Sequence, residues 1–189
     1  MNHYNTIKGG NDMSCKLTNG IKLKDCDTPG GVSESYFINI EDVDTLTVTD
    51  FQVSALTLKS YSTAYKIAFE PQTSNFASNA VGSVENSSAA FEQTCEIKIN
   101  KIDNNVLEQI DALTKGRHMV IIKKADNTYE LYFHEGGAKF MSNYSTGTAL
   151  EDPSGVTLTA THKQPSNMLI VSATVIGSLT IAEETEPAP

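Results

Sequence analysis

Two long segments of the chain alternate apolar with polar side chains at nearly every second position. In Tyr61–Glu70 and again in Phe91–Lys101, aromatic and aliphatic residues fall mainly at odd numbers, and polar or charged residues fall between them. Because side chains alternate sides along a strand, each segment predicts a strand with one buried face. A chain built on such segments is constrained to a mostly β fold.

Shorter segments add further predicted strands. They share an apolar or alternating core bounded by turn residues: Tyr36–Glu41, Val53–Leu58, His118–Lys124, Tyr129–His134, Lys139–Ser142, Val156–His162 and Met168–Ile176. The segment His118–Lys124 is apolar on both faces, which predicts a central strand joined to the next one by a tight turn. The stretch Thr73–Ala90, rich in Ser, Asn and Ala, predicts a long mobile loop with at most a weak strand at Phe76–Val81.

One helix is predicted, over residues 104–115. Asp103 or Asn104 can cap it by accepting a hydrogen bond from an orphan amide at its start. Its apolar residues fall at helical spacing on one stripe: Val106, Ile110 and Leu113. Gly116 is expected to end the helix in a left-handed conformation, which costs glycine little.

The order of elements favours a β-sandwich or barrel, because short strands with frequent turns outnumber β–α alternations. Residues 32–182 form the predicted domain, with the helix inside it. Residues 1–31 hold three glycine turns and no periodicity, and are predicted to be an N-terminal arm. Residues 183–189 are predicted to be an acidic disordered tail. Met13 is a possible alternative start to Met1.

Charge and composition exclude several partners. A net charge of −9 with scattered Lys and Arg argues against nucleic-acid binding, which needs clustered cations. No segment is long and apolar enough to predict a membrane span or a signal peptide, so synthesis in a cytoplasm is expected. Three cysteines, Cys15, Cys26 and Cys95, form no CxxC pair and predict reduced thiols.

No motif in the sequence predicts catalysis, a metal or a cofactor. The chain lacks a GxSxG elbow, a phosphate loop and a GxGxxG step. A hairpin could bring His118 and His134 together, but solvent-facing positions at strand ends are the expected places for both. The sequence therefore favours a protein that is not an enzyme and acts through its surfaces.

The start of the chain resembles virion structural proteins of tailed phages, closest to those of crAss-like and other Bacteroidetes phages. Those proteins often open with Cys, Leu, Thr and Gly, a second Cys about ten residues on, and a Gly-Gly step into a strand with Tyr. Here the matching residues are Met13–Ile21, Leu23–Cys26, Gly30-Gly31-Val32 and Tyr36.

The second half is similar to the same family, in a hairpin followed by a loop and a strand. The matching segments are Val120–Lys123, Tyr129–Tyr132, Gly136–Lys139, Thr146–Ala149, Asp152 and Gly155–Thr159. The resemblance implies a sandwich or barrel like the phage tail-tube fold, assembling with itself into a sixfold or twelvefold ring within the virion. It also implies contacts with other tail, portal or collar proteins. A further hypothesis is an acidic lumen, which would let DNA slide because like charges repel.

In such a ring, strand edges and the N-terminal arm would contact the neighbouring subunit. The candidate subunit-interface residues are Cys15, Leu17, Ile21, Tyr61, Tyr65, Phe69, Phe91 and Ile97. The long hairpin that a tube subunit needs is expected from Tyr61–Phe69 and Phe91–Ile99. Three alternatives stay open: a capsid accessory protein, a ligand- or carbohydrate-binding β-sandwich module, and an enzyme with an unsignalled carboxylate or histidine site.

Overall fold

The structure is a computed structural model that describes residues 20–21, 29–70, 72–83, 85, 88–100, 102–147 and 154–182. Within these ranges the chain forms twelve strands and two α-helices. In chain order the strands are β1 Val32–Asn39, β2 Val43–Thr49, β3 Gln52–Leu58, β4 Ala64–Ile67, β5 Asn75–Ser83, β6 Ser88–Ile99, β7 His118–Lys124, β8 Tyr129–Tyr132, β9 Met141–Ser145, β10 Gly155–Gln164, β11 Leu169–Val171 and β12 Ile181–Ala182. The helices are α1 Asn104–Lys115 and α2 Ala173–Ser178.

The strands form two sheets, which confirms the predicted mostly β, sandwich- or barrel-like fold with one main helix. The larger sheet curls and has the order β12-β4-β1-β7-β8-β11-β3-β2. The smaller sheet has the order β5-β6-β10-β9, and all of its neighbouring strands are antiparallel. The predicted arm at 1–31 lies mostly outside the described residues, and the predicted tail at 183–189 lies wholly outside them.

The first hydrophobic core lies between the two sheets. One face of β1, β7 and β8 packs against β6, β10 and helix α1, and three phenylalanine rings fill the centre. Its fully buried members include Phe37, Ile97, Val120, Phe133, Phe140 and Leu158. Ring centroids of Phe37 and Phe140 lie 5.1 Å apart in a tilted arrangement, which aromatic quadrupoles favour.

The second core fills the concave side of the curled sheet, under helix α2. Residues from β1, β3, β7, β8 and β11 contribute to it, and Val175 and Ile176 of α2 cover it. Because β1 and β7 face a core on each side, their runs Tyr36–Ile38 and Met119–Ile122 are buried throughout. The prediction of a central strand at His118–Lys124 is confirmed. The strand predicted at Tyr36–Glu41 ends earlier, at Asn39, and a 3-10 turn follows at Ile40–Asp42.

Helix α1 has the predicted bounds and stripe. Asp103 caps it by accepting a hydrogen bond from the Val106 amide at 2.9 Å. The reason predicted for Gly116 was wrong, because its φ of −83° is not left-handed. Glycine is needed there because a Cβ would lie 2.7 Å from Nε2 of His118 and 3.2 Å from the carbonyl oxygen of Ala112.

Three other sequence predictions were wrong. The strand at Tyr61–Glu70 shrinks to β4, because Tyr61 turns out of line with φ 70°. The stretch Thr73–Ala90 was predicted as a mobile loop, but the weak strand expected at Phe76–Val81 is the longer β5, which pairs with β6 over nine residue pairs. The strand predicted at Met168–Ile176 breaks after Val171, and α2 follows it.

A strand over Tyr129–His134, as predicted, would place Leu131 and Phe133 on one face. The strand β8 ends at Tyr132, and Phe133 adopts a left-handed φ of 60°. This turn sends Phe133 into the core between the sheets, while Leu131 stays in the core under α2. Gly136 and Gly137 then complete the turn with φ values of 85° and 67°, as expected for a glycine pair that breaks a strand.

Candidate functional site: sheet edges and a histidine cluster

The two edge strands of the smaller sheet carry no charged residue. The sequence of β5 is NFASNAVGS and that of β9 is MSNYS. Both strands pair in unbroken register, β5 with β6 and β9 with β10. Edge strands in soluble proteins are usually protected by charge, proline or bulges, because their free backbone groups accept another strand. Both edges of this sheet lack the charge and the register breaks that prevent such pairing.

The edges of the larger sheet are protected. Strand β2 carries Asp44 and has register shifts between Val43 and Thr45 and between Thr47 and Val48. Within the described residues, strand β12 is two residues long. Bulges and short strands are both devices that prevent edge-to-edge pairing. The contrast singles out β5 and β9 as the candidate interaction edges.

The outer face of the smaller sheet is polar and electrically balanced. After Gly155, the outward-pointing residues of β10 are three threonines followed by Lys163: Thr157, Thr159 and Thr161. The charged residues on this face are two acids and two bases: Glu92, Glu96, Lys98 and Lys163. Lys163 lies 3.2 Å from a carboxylate oxygen of Glu92. The face is therefore suited to water or to a polar partner, with no net field to attract a polyion.

The candidate interface residues named from the sequence fall into different places. Cys15 and Leu17 lie outside the described residues, while Ile21, Tyr61 and Tyr65 are exposed. Phe69 and Phe91 are half-buried, and Phe69 packs against the core between the sheets. Ile97 is fully buried in that core. Its assignment to an interface was wrong. The alternating pattern of β6 places Ile97 on the inner face of the strand, where no part of its side chain is exposed to a neighbouring subunit.

A second group of polar side chains lies at one end of the sandwich, and we name it the histidine cluster: His134, Glu135, His162, Gln164 and Ser166. His134 follows β8, His162 and Gln164 lie at the end of β10, and Ser166 lies in the connection to β11. Nε2 of His134 is 2.9 Å from Oγ of Ser166, and its Nδ1 is 3.2 Å from Nε2 of Gln164.

The remaining bonds of the histidine cluster run through Glu135. Ser166 Oγ donates a short hydrogen bond to Oε1 of Glu135, and Nε2 of His162 lies 2.8 Å from the Glu135 carbonyl oxygen. His134 is buried, and this burial lowers its pKa from 6.5 to about 4, against the opposing attraction of Glu135. His134 is therefore neutral at neutral pH.

The histidine cluster does not activate Ser166 as a nucleophile. The amide nitrogen of Gln164 also donates to the Ser166 carbonyl oxygen at 3.0 Å, and a carbonyl oxygen only accepts, so this contact fixes the orientation of the amide. Nδ1 of His134 must then accept, and the proton of the neutral ring sits on Nε2. A base for Ser166 would need a free lone pair on Nε2. Instead, Nε2–H of His134 donates to Oγ of Ser166, and Ser166 donates to the Glu135 carboxylate.

His118 was expected at the surface and is also buried. It is 5% exposed, its ring centroid lies 6.3 Å from that of Phe140, and burial lowers its pKa. The thiol of Cys95 is buried in the core, and its pKa is raised by burial and by Glu96. A buried thiol with a raised pKa is chemically inert, because the thiolate is the reactive form.

Across the described ranges, no group of three or more His, Cys, Asp or Glu side chains is placed to hold a metal ion. In the same ranges, no helix combines the length and apolar character needed to cross a bilayer. Sequence reasoning named neither the uncharged edges nor the histidine cluster. The absence of charge from 75–83 and 141–145 is visible in the sequence, but which strands are edges is a property of the topology.

Comparison with known proteins identifies no relative: no family model, no curated protein and no solved structure matches this chain.

Proposed function

We propose that this chain is a non-enzymatic structural protein of a tailed-phage virion that assembles with itself into a ring or tube of the tail, portal or collar region. The resemblance of 13–36 and of the second half to such proteins supports the family. The observation that carries self-assembly is the pair of uncharged edges β5 and β9 on one regular sheet. A second copy of the chain offers each edge a matching strand.

The directions of the strands support a closed ring. In an antiparallel sheet of four strands, the two edge strands run in opposite directions. A rotation about an axis roughly parallel to the strands preserves these directions, so β9 of one copy would meet β5 of the next in antiparallel pairing. Such a head-to-tail junction repeats one interface and closes when the rotation closes. The copies would then share one continuous antiparallel sheet.

The charge of the outer face changes the expectation for the lumen. If this face lines the ring, its two acids and two bases make the lining neutral and rich in threonine, where an acidic lining was expected. A neutral hydroxyl surface has no clustered cations to hold phosphates. DNA passage would then depend on the absence of basic residues from this face, without help from like-charge repulsion.

The alternative of a ligand- or carbohydrate-binding module has less support. A shallow groove of about 210 Å³ lies on the outer face, lined by Asn75, Thr94, Cys95, Glu96, Thr159, Ala160 and Thr161. None of these residues is aromatic. Most small-molecule sites are larger, deeper and lined by apolar or aromatic side chains. The groove therefore favours exposed polar surface over a sugar platform.

Negative-stain electron microscopy with light scattering tests the proposal. The purified protein is expected to form rings or tubes of uniform diameter above a threshold concentration. A monomer at every concentration would contradict self-assembly and favour the binding module. A ring that still forms after chelation, and that has no hydrolase activity, would agree with a purely structural role.

A further inference from the structure

The histidine cluster fastens two connections that leave different sheets. The 133–137 turn leaves β8 of the larger sheet, and the 165–168 connection leads out of β10 of the smaller sheet. The turn is also tied to β6, because the Phe133 amide donates to Oε1 of Gln93 at 2.6 Å. On its far side, Nη1 of Arg117 donates to the Gly137 carbonyl oxygen at 3.3 Å. The cluster thus lies where the two sheets are joined at one end of the sandwich.

The contact of His134 Nδ1 requires a neutral ring with its proton on Nε2, and the Nε2 contacts with Ser166 and Glu135 agree with that tautomer. Gln164 uses both amide hydrogens, one on Nδ1 of His134 and one on the Ser166 carbonyl oxygen. Its Oε1 faces the Glu135 amide at 3.5 Å. A flip of the Gln164 amide would place two oxygens against each other at Ser166 and two donors at Glu135. The amide therefore cannot turn to accept a proton from Nδ1 without losing its other bonds.

We propose that the histidine cluster is an acid-sensitive latch: a proton on Nδ1 of His134 opposes the N–H of Gln164 and releases the 165–168 connection from the 133–137 turn. The proton is taken from solvent, and the imidazolium becomes hydrated as the latch opens. The inference stands apart from the proposed assembly, since it concerns a joint within one subunit.

Two titratable groups act on His134 in the closed latch. Glu135, with Oε1 at 3.7 Å from Nε2 of His134, favours the protonated ring, while His162 disfavours it. Burial outweighs both and holds the pKa of His134 at about 4, against 6.5 for a free imidazole. The open form therefore binds a proton first as the pH falls. The equilibrium constant for closing the latch should fall by up to about tenfold per pH unit between pH 6.5 and 4, and should change little outside that window.

The test combines hydrogen exchange with histidine NMR on the intact protein. In the wild type, the protection of the Glu135 amide and of 165–168, corrected for intrinsic rates, should fall about fortyfold between pH 6.5 and 4.5. In His134→Gln this pH dependence should disappear, while amides of β7 stay protected in both proteins. His162→Gln serves as the matched control: His162 bonds the Glu135 carbonyl oxygen and slightly disfavours the protonated ring of His134, so its loss should keep the fall in protection, at the same or a slightly higher pH.

The ring nitrogens of His134 give a second readout that needs no variant. Nitrogen-15 shifts should show the neutral tautomer protonated on Nε2 from pH 8 to pH 5. An Nδ1-protonated tautomer would overturn the latch, and so would titration near 6.5 with undiminished protection of 165–168. The same loss of protection in His134→Gln as in the wild type would also overturn it. If His134→Gln does not fold, the NMR titration decides alone.

Discussion

Tyr144 of β9 stands directly opposite Val156 of β10 on the same face of the smaller sheet, yet Val156 is 3% exposed and Tyr144 is 55% exposed. Val156 is covered because β10 is an interior strand over the core, whereas β9 is the edge of the sheet. The face of the sheet that covers the core at β10 therefore continues to β9, beyond the side chains that fill the core. This margin, which none of the described residues covers, is where a second copy would gain most by adding a strand.

A lysine on that margin should block assembly without unfolding the subunit. Ser142 pairs with the fully buried Leu158 but is itself exposed, so Ser142→Lys is tolerated in the monomer. In a junction its ammonium would be trapped under the neighbouring strand. We expect the concentration needed for assembly to rise roughly tenfold or more, or about 1.4 kcal/mol per junction, measured by light scattering. Thr45→Lys on the protected edge β2 is the matched control and should assemble normally; equal effects would refute the assignment of edges.

Ile97 and Tyr61, two of the candidate interface residues, should differ in how much they contribute to the stability of the subunit. Ile97→Ala removes a fully buried side chain from the core between the sheets and should lower the free energy of unfolding by about 2–5 kcal/mol. Tyr61 is fully exposed, so Tyr61→Ala should leave the urea midpoint almost unchanged. A stable Ile97→Ala variant would contradict the packing described for β6.

Gly116→Ala should be destabilising although it adds a single methyl group. The new Cβ would lie 2.7 Å from Nε2 of His118, a side chain buried against Phe140, so His118 must move. We expect a loss of about 1–3 kcal/mol in urea unfolding. Gly177→Ala is the control: nothing lies within 4 Å of that Cβ in α2, and alanine should stabilise the helix by about 0.5–1 kcal/mol. Similar losses at both sites would contradict the close approach at Gly116.

Tyr36→Phe should raise the pKa of Glu34. The Tyr36 hydroxyl donates a short hydrogen bond to Oε2 of Glu34, and this bond, with Lys66 and Lys123, lowers the carboxyl pKa below 4.5. The folded pKa lies below the unfolded one, so the stabilisation is present above about pH 4.5 and is lost as the pH falls through the folded pKa. Carboxyl NMR titration of Tyr36→Phe should show a pKa closer to 4.5. Tyr132→Phe is the control. It removes a hydroxyl that lies 3.0 Å from Oε2 of Glu130, and it should leave the pKa of Glu34 unchanged.

The sequence predicted elements whose signals are local. Helix α1 combines a capping Asp103, an apolar stripe and a terminal glycine, and all three act within a few residues. The hairpin of β7 and β8 likewise follows from an apolar run and a polar turn. The strand β5 was expected only as a weak strand at Phe76–Val81, because its side chains are small and polar. Its pairing with β6 supplies the stability that its own residues lack.

The candidate site could not be predicted for a different reason. The contacts of His134 come from Gln164 and Ser166, thirty and thirty-two residues away, which only the fold brings together. An apolar run as short as Val175–Ile176 fits a strand as well as a helix, so α2 was also missed. The exposed state of β9 depends on sheet order, which periodicity does not encode.

The most direct test of self-assembly is a cysteine cross-link between β9 and β5 of different copies. In a Cys15→Ser, Cys26→Ser background, Asn143→Cys is combined in turn with a cysteine at one of three outward positions of β5: Asn75, Ala77 and Asn79. Within one chain these strands lie three strand spacings apart, about 14 Å, too far for a disulfide. Mild oxidation should therefore give a ladder of covalent oligomers for at least one pair. Asn143→Cys alone should stay monomeric, and a covalent dimer there, or no ladder with any pair, would contradict the head-to-tail ring.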